Sequence, residues 1–258
     1  MILNKIENKD VFEYLGELND NSIDLAIIDP PYNQNIDKWD AFKNEKEYFD
    51  FTFKWLDLAV AKLKENGSLY LFNNAYNSAL VLYYLINKGL KFHNWIVWYK
   101  KDGFSPSKSK FVNNQEVILF FSKTENYTFN AESVRIPYMS TERIKAAETK
   151  GLLKNGKRWF PNPNGRLCGD VWEFVSERHT CKVNGKTQKT FHPTPKPEKM
   201  IERIIKASSN ENDLVLDLFS GSGTTAYMAK RLNRNYTGCE NNKEYFNYIE
   251  KRLQKGEK

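Results

Sequence analysis

The chain has 258 residues, 40% hydrophobic and 28% charged, enough apolar material for one large domain and too ordinary a balance for disorder. No apolar run nears the roughly 18 residues of a membrane span, and the opening MILNKIENKD lacks a secretory pattern, so a cytoplasmic protein without membrane contact is expected. The net charge is +7, and residues 101–191 hold all of it, 16 Lys+Arg against 9 Asp+Glu, which suits a polyanion partner, nucleic acid first, and equally a plain solvated basic lobe.

In chain order, residues 22–29 read as a buried strand ending at Pro30. Residues 45–67 have Phe49, Phe53, Leu56, Val60 and Leu63 at helical spacing, with Asn66-Gly67 as the stop. A strand over 68–72, a helix over 76–89 stopped by Gly89, and strands over 94–99 and 116–122 follow, the last two separated by a basic polar loop at 100–114. Beyond Ser122 the alternation fades: one helix is expected over 139–151, and 155–172 reads as loop-built surface. Order returns over 192–208, with a helix that has Pro197 in its first turn, then strand 213–219, a glycine-rich loop entering a helix over 221–233, strand 235–240 and helix 242–255. The fold class is therefore α/β, a mostly parallel sheet with helices on both faces and a basic lobe inserted.

Two stretches carry chemistry. In VLDLFSGSGTTAYMAKRLNRNYTGCE a strand meets a glycine turn and a helix N-terminus, and a second strand ends on Glu240, 19 residues after Gly221. That placement suits an acid holding ribose hydroxyls, but the turn is not G-x-G-x-x-G, so a nucleoside with a small zwitterionic tail, S-adenosylmethionine, fits better than a dinucleotide. The other stretch is LAIIDPPYNQN, where Asp29-Pro30-Pro31 makes a stiff exit from a strand. The Asp29 carboxylate and the Pro30 carbonyl are two acceptors of fixed geometry, the complement of a planar exocyclic amine, and Tyr32 offers a face for a base. An isolated Asp-Pro-Pro is also simply a capped turn. Three cysteines without a Cys-x-x-Cys give no reason for a disulfide or a metal.

Together, Asp-Pro-Pro-Tyr and Phe-Ser-Gly-Ser-Gly-Thr-Thr resemble the motifs of the amino-methylating DNA methyltransferases, over nearly the whole chain. The motif order is similar to the β class, and residues 152–172 are similar to the MboII-type enzymes, which methylate adenine in GAAGA. The resemblance implies residues 1–122 as a catalytic half, 123–190 as a target-recognition region and 191–258 as the cofactor half. It implies that Asp29, Pro30, Pro31 and Tyr32 hold a flipped adenine, and that Asp217, Phe219, Ser220, Gly221, Ser222, Gly223 and Thr224 surround the methionine part of S-adenosylmethionine. Glu240 would take its ribose and Asp10 its adenine; His192, Thr194 and Lys196, in HPTPKP, would line its carboxylate end, with Pro195 departing from the family's usual Gln. Duplex DNA is the implied partner; Lys108 and Lys110 are candidates for phosphate contacts, Arg158 and Arg166 for base contacts, and a homodimer stays open. The alternatives are an N4-cytosine enzyme on the same scaffold, an enzyme acting on RNA or protein amide nitrogen, and a non-catalytic DNA-binding protein.

Overall fold

The structure is a computed structural model that describes residues 3–101, 108–176, 180–183, 186–189 and 194–255. The strands of the first half are β1 (Lys5–Glu7), β2 (Ile23–Ile28), β3 (Leu63–Asn73), β4 (Lys91–Tyr99) and β5 (Gln115–Ser122), interleaved with helices α1 (Val11–Glu17), α2 (Glu45–Lys62) and α3 (Ala75–Asn87). The middle holds the short strands β6 (Arg135–Ile136), β7 (Leu152–Lys154), β8 (Lys157–Trp159), β9 (Arg166–Leu167), β10 (Val171–Glu173), β11 (Thr180–Val183) and β12 (Lys186–Lys189), with helix α4 (Thr141–Lys150). Helix α5 (Glu198–Ser208), β13 (Leu214–Asp217), α6 (Thr224–Arg231), β14 (Asn235–Cys239) and α7 (Lys243–Lys255) complete the chain.

Eight strands form one sheet in the order β1-β14-β13-β2-β3-β5-β4-β10. All neighbours are parallel except β5, which runs antiparallel to both β3 and β4. Alternate residues of β2 feed opposite faces, as the strand period of two requires. Ala26 and Ile28 pack with α1, α2 and α3, around Tyr14, Trp55, Leu56 and Val81. Leu25 and Ile27 pack with α5, α6 and α7, around Ile201, Ile204, Ala229 and Ile249. Each fully buried Leu or Ile there contributes about 1.5–3 kcal/mol relative to exposure.

Three elements differ from the sequence expectation. Helix α2 ends at Lys62, and residues 63–67 belong to the start of β3. Asn66-Gly67 sits at an irregularity of the β2–β3 ladder, where Ile23 pairs with Leu63 and Leu25 with Ser68. A Cβ on Gly67 would lie 2.9 Å from the carbonyl oxygens of Ile23 and Lys64, so glycine here admits a close strand approach and does not stop a helix. Residues 155–172, read as loop, contain short strands: β8 pairs with β7, and β9 with β6. Finally, β10 joins the central sheet in parallel with β4, Trp172 opposite Trp98, and buries Trp172.

Among the described residues no helix is long and apolar enough to cross a membrane.

Candidate active site

The C-terminal ends of β2, β13 and β14 open on one cavity of about 670 Å³, at the edge where ligands bind in open α/β sheets. It is lined by Asp29, Pro30, Pro31 and Tyr32 from one side and by Asp217, Phe219, Ser220, Gly221, Ser222, Thr224 and Glu240 from the other. Two motifs far apart in sequence therefore share one space, large enough for a nucleoside-sized molecule beside a base.

On the glycine side, Gly221 and Gly223 adopt φ values of 49° and 73°, a left-handed turn that delivers the chain to the N-terminus of α6. A Cβ on Gly223 would press on the Ile249 side chain at 3.0 Å, so this glycine serves packing against α7 and does not line the cavity. The Gly221 amide donates to Glu240 Oε2 at 2.8 Å, and the Asn242 amide donates to Glu240 Oε1 at 2.8 Å. Burial raises the Glu240 carboxyl above its ordinary range, partly offset by those amides. Asp217 is buried, accepts a long bond from the Phe219 amide at 3.3 Å, and has its carboxyl pushed up to about 7 by burial. The Thr225 hydroxyl and the Phe219 amide offset that burial only in part, and a buried carboxyl so placed is a ready receptor for an ammonium group. Phe219 meets Trp55 edge-on at 5.3 Å.

On the proline side, the Tyr32 hydroxyl donates to Asp29 Oδ1 at 2.7 Å and Lys196 Nζ donates to Asp29 Oδ2 at 2.6 Å. Tyr32 is 9% exposed, so its ring is mostly packed and its hydroxyl orients Asp29. Burial and the nearby Glu116 charge raise Asp29, with Lys196 opposing. The loop after Tyr32 wraps around Asp40, whose carboxylate accepts from the amides of Tyr32, Asn33, Gln34 and Ile36 at 2.6–3.3 Å.

The remaining expected residues fall as follows. Asp10 lines the cavity and caps α1, accepting from the Phe12 amide at 2.8 Å. Thr194 and Lys196 line the cavity, Lys196 with its ammonium on Asp29. His192 lies outside the described residues. Lys108 and Lys110 are exposed and Arg166 is half-buried on β9. Arg158 is exposed and donates to the Lys150 carbonyl. None of these four lines the cavity. Glu116, Asp40, Asn242 and Tyr245 line it without having been expected. No group of three or more His, Cys, Asp or Glu side chains among the described residues could hold a metal.

A sequence profile for DNA methylases of the N6/N4 type matches residues 23–251. The chain is 56% identical over 245 residues to the type II methyltransferase M1.MboII of Moraxella bovis, covering 95% of this chain and 94% of that one. It is 36% identical to the type II methyltransferase M.HpaI of Haemophilus parainfluenzae over 93% of this chain and 70% of that one. Among solved structures, a complex of M1.HpyAVI with SAM superposes with a TM-score of 0.63 at 26% identity, covering 96% of this chain and 99% of that chain. The cytosine-N4-specific PvuII DNA methyltransferase shares the fold, with a TM-score of 0.73 at 19% identity over 96% of this chain and 86% of that chain.

Proposed function

The chain belongs to the N6/N4 DNA methylase family and is a DNA methyltransferase that uses S-adenosylmethionine; from that premise we propose that it methylates the N6 amino group of an adenine flipped from duplex DNA. The observation that carries the reading is the single cavity shared by Asp29 and the Asp217–Glu240 side. S-adenosylmethionine supplies an electrophilic methyl group on a sulfonium. Its fit rests on Asp217, whose carboxyl near 7 suits the ammonium, on the open backbone at Gly221, and on Glu240 at the end of β14 for the ribose.

At the other end, Asp29 accepts one hydrogen of the amine and the Pro30 carbonyl the second, a reading supported by both residues lining the cavity on a proline-stiffened exit from β2. Two fixed acceptors draw the nitrogen toward tetrahedral character and free its lone pair, so orientation and electrostatics supply most of the rate. Asp29 need not remove a proton before transfer, because the methylated amine is acidic and gives its proton to water afterwards. Extrusion of the base costs a few kcal/mol, offset by phosphate contacts from the basic segment 101–191. An Asp rather than Ser before Pro30-Pro31 favours adenine over cytosine, and the resemblance to MboII-type enzymes points to GAAGA.

The setting is the bacterial cytoplasm, where such an enzyme would accompany a restriction endonuclease. A homodimer is supported by an exposed apolar stripe on α3 formed by Tyr76, Leu80, Tyr83 and Ile86; a monomeric mass by sedimentation at micromolar concentration would oppose it.

Labelled S-adenosylmethionine incubated with GAAGA duplex, followed by nucleoside digestion, tests the whole reading. Label in N6-methyladenine is expected. Label in N4-methylcytosine would move the target, and label in neither would remove the assignment.

A further inference from the structure

Four charged side chains alternate in sign from Lys100, outside the cavity, to Glu116, Lys196 and Asp29, which line it. Lys100, just beyond the end of β4, donates to Glu116 on β5. Glu116 Oε2 faces Lys196 Nζ at 3.4 Å, and Lys196 donates to Asp29 Oδ2 at 2.6 Å. The Tyr32 hydroxyl spans the two carboxylates, 2.7 Å from Asp29 and 3.3 Å from Glu116. The rings of Phe72, Tyr32 and Trp98 surround the Lys196 ammonium, their centroids 5.4, 5.6 and 5.9 Å away. The Lys196 and Glu116 side chains are only 9% and 14% exposed.

Charges are buried at high cost unless paired, and here two ammonium groups balance two carboxylates. Asp29 spends one acceptor site on Tyr32 and one on Lys196, and an ionised carboxylate has about four. Acceptor capacity therefore remains for an incoming amine, on a group whose orientation is already fixed. Without Lys196, Asp29 and Glu116 would face each other with one cation, Lys100, between them and solvent. One of the pair would then take a proton, and a protonated Asp29 would donate where it must accept.

We propose that Lys196 and Glu116 are positioning residues of the methyl-transfer step, holding Asp29 as an oriented, charge-balanced acceptor, so that Lys196 serves the target amine and not the carboxylate end of the cofactor. The inference rests on the role assigned above to Asp29. The groups facing Asp29 are Lys196, Glu116 and Tyr32, with Asp217 acting from across the cavity. In keeping with the geometry, Glu116 is held below its ordinary range: burial raises it, but Lys196 and Lys100 outweigh that.

Three variants test it: Lys196→Met, Glu116→Gln and the double variant. Each is assayed for cofactor affinity by calorimetry, for kcat against pH on GAAGA duplex, and for the Asp29 carboxyl midpoint by carbon NMR. Lys196→Met should lower kcat roughly 100-fold at neutral pH, move the Asp29 midpoint and the acid limb upward, and leave the Kd for S-adenosylmethionine within about 3-fold. Glu116→Gln should lower kcat roughly 10-fold and move the midpoint and limb downward, because a negative neighbour is lost. In the double variant the Asp29 midpoint should return toward the wild-type value, with part of the kcat loss recovered. A weakening of cofactor binding by tenfold or more in Lys196→Met, with kcat kept at saturation, would overturn the proposal, as would an unmoved midpoint. Should Lys196→Met not fold, Glu116→Gln decides alone, and an unshifted acid limb there overturns it. If the wild type transfers no methyl group to DNA, the functional reading fails, while the carboxyl midpoints still report whether Lys196 and Glu116 set the charge on Asp29.

Discussion

The Asp40 carboxylate accepts a hydrogen bond from the Tyr32 backbone amide at 2.6 Å, and through it the loop after the two prolines is tied to a buried anion. Three further amides of that loop point to the same carboxylate. Asp40→Asn keeps the volume but turns an amide donor toward these N–H groups. It should lower kcat by about 10-fold and the melting temperature by several degrees, with the cofactor Kd unchanged. Full kcat in this variant would show that the loop holds its shape without Asp40.

Asp29→Asn should abolish methyl transfer while S-adenosylmethionine still binds within about 3-fold of wild type. The amide cannot accept from both Lys196 and Tyr32 and still accept from an amine. Turnover above a few per cent, measured by tritium transfer to duplex, would take Asp29 out of the reaction.

Asp217 gives a pH prediction. Burial pushes its carboxyl up from the usual 3.8 to about 7. The unfolded chain ionises first, so Asp217 favours folding fully below about pH 4 and that contribution is lost as pH rises to about 7, by up to about 4 kcal/mol. Asp217→Asn should therefore melt higher than wild type at pH 8 and bind S-adenosylmethionine at least 10-fold more weakly. In wild type, cofactor affinity should rise from pH 6 toward 7.5 as the carboxylate forms, then fall at higher pH as the cofactor ammonium loses its proton. Calorimetry across that range checks both limbs; a flat profile would detach Asp217 from the ammonium.

Gly221→Val places a β-branched side chain at a backbone φ of 49° and disturbs the amide that donates to Glu240. Loss of cofactor binding is expected, and an unchanged Kd would separate this turn from the cofactor.

For DNA, Arg166 lies on the short β9, paired across to Ile136 of β6, so its backbone is held while the half-buried side chain is offered at the surface. Arg166→Ala should cost about 1–3 kcal/mol on GAAGA and little on scrambled duplex. Loss of Lys108 or Lys110 should weaken both duplexes equally and flatten the salt dependence. Equal losses on both duplexes for Arg166→Ala would make it a phosphate contact.

The sheet and its helices were legible because apolar runs such as residues 23–28 and 214–217 leave little choice but buried strands, and α5 declares itself by Ile201, Ile204 and Ile205. The two motifs were legible because their unusual backbone is written in Pro and Gly. Glu116 and Asp40 were not: each is one acid among 32, and its importance comes from what the fold places around it. Lys196 was found as a cavity residue but expected at the other end, since nothing local to HPTPKP reveals that its side chain reaches β2 and β5. The short middle strands escaped for a related reason: runs of two to four residues have no period to read.

The pairing of β10 with β4 has a consequence for exchanging recognition segments between relatives. An exchange of residues 123–190, the expected target-recognition region, that brought no strand in place of β10 would leave the amides and carbonyls of β4 beside Val97, Trp98 and Tyr99 open to pairing with another chain. A seam placed just before Val171 keeps that border closed and leaves the Arg203 guanidinium stacked on Trp172, 5.0 Å from its centroid, as an anchor to α5. The transplantable unit is therefore shorter than the basic segment, and a chimera cut at 123–170 should remain soluble where the longer one aggregates.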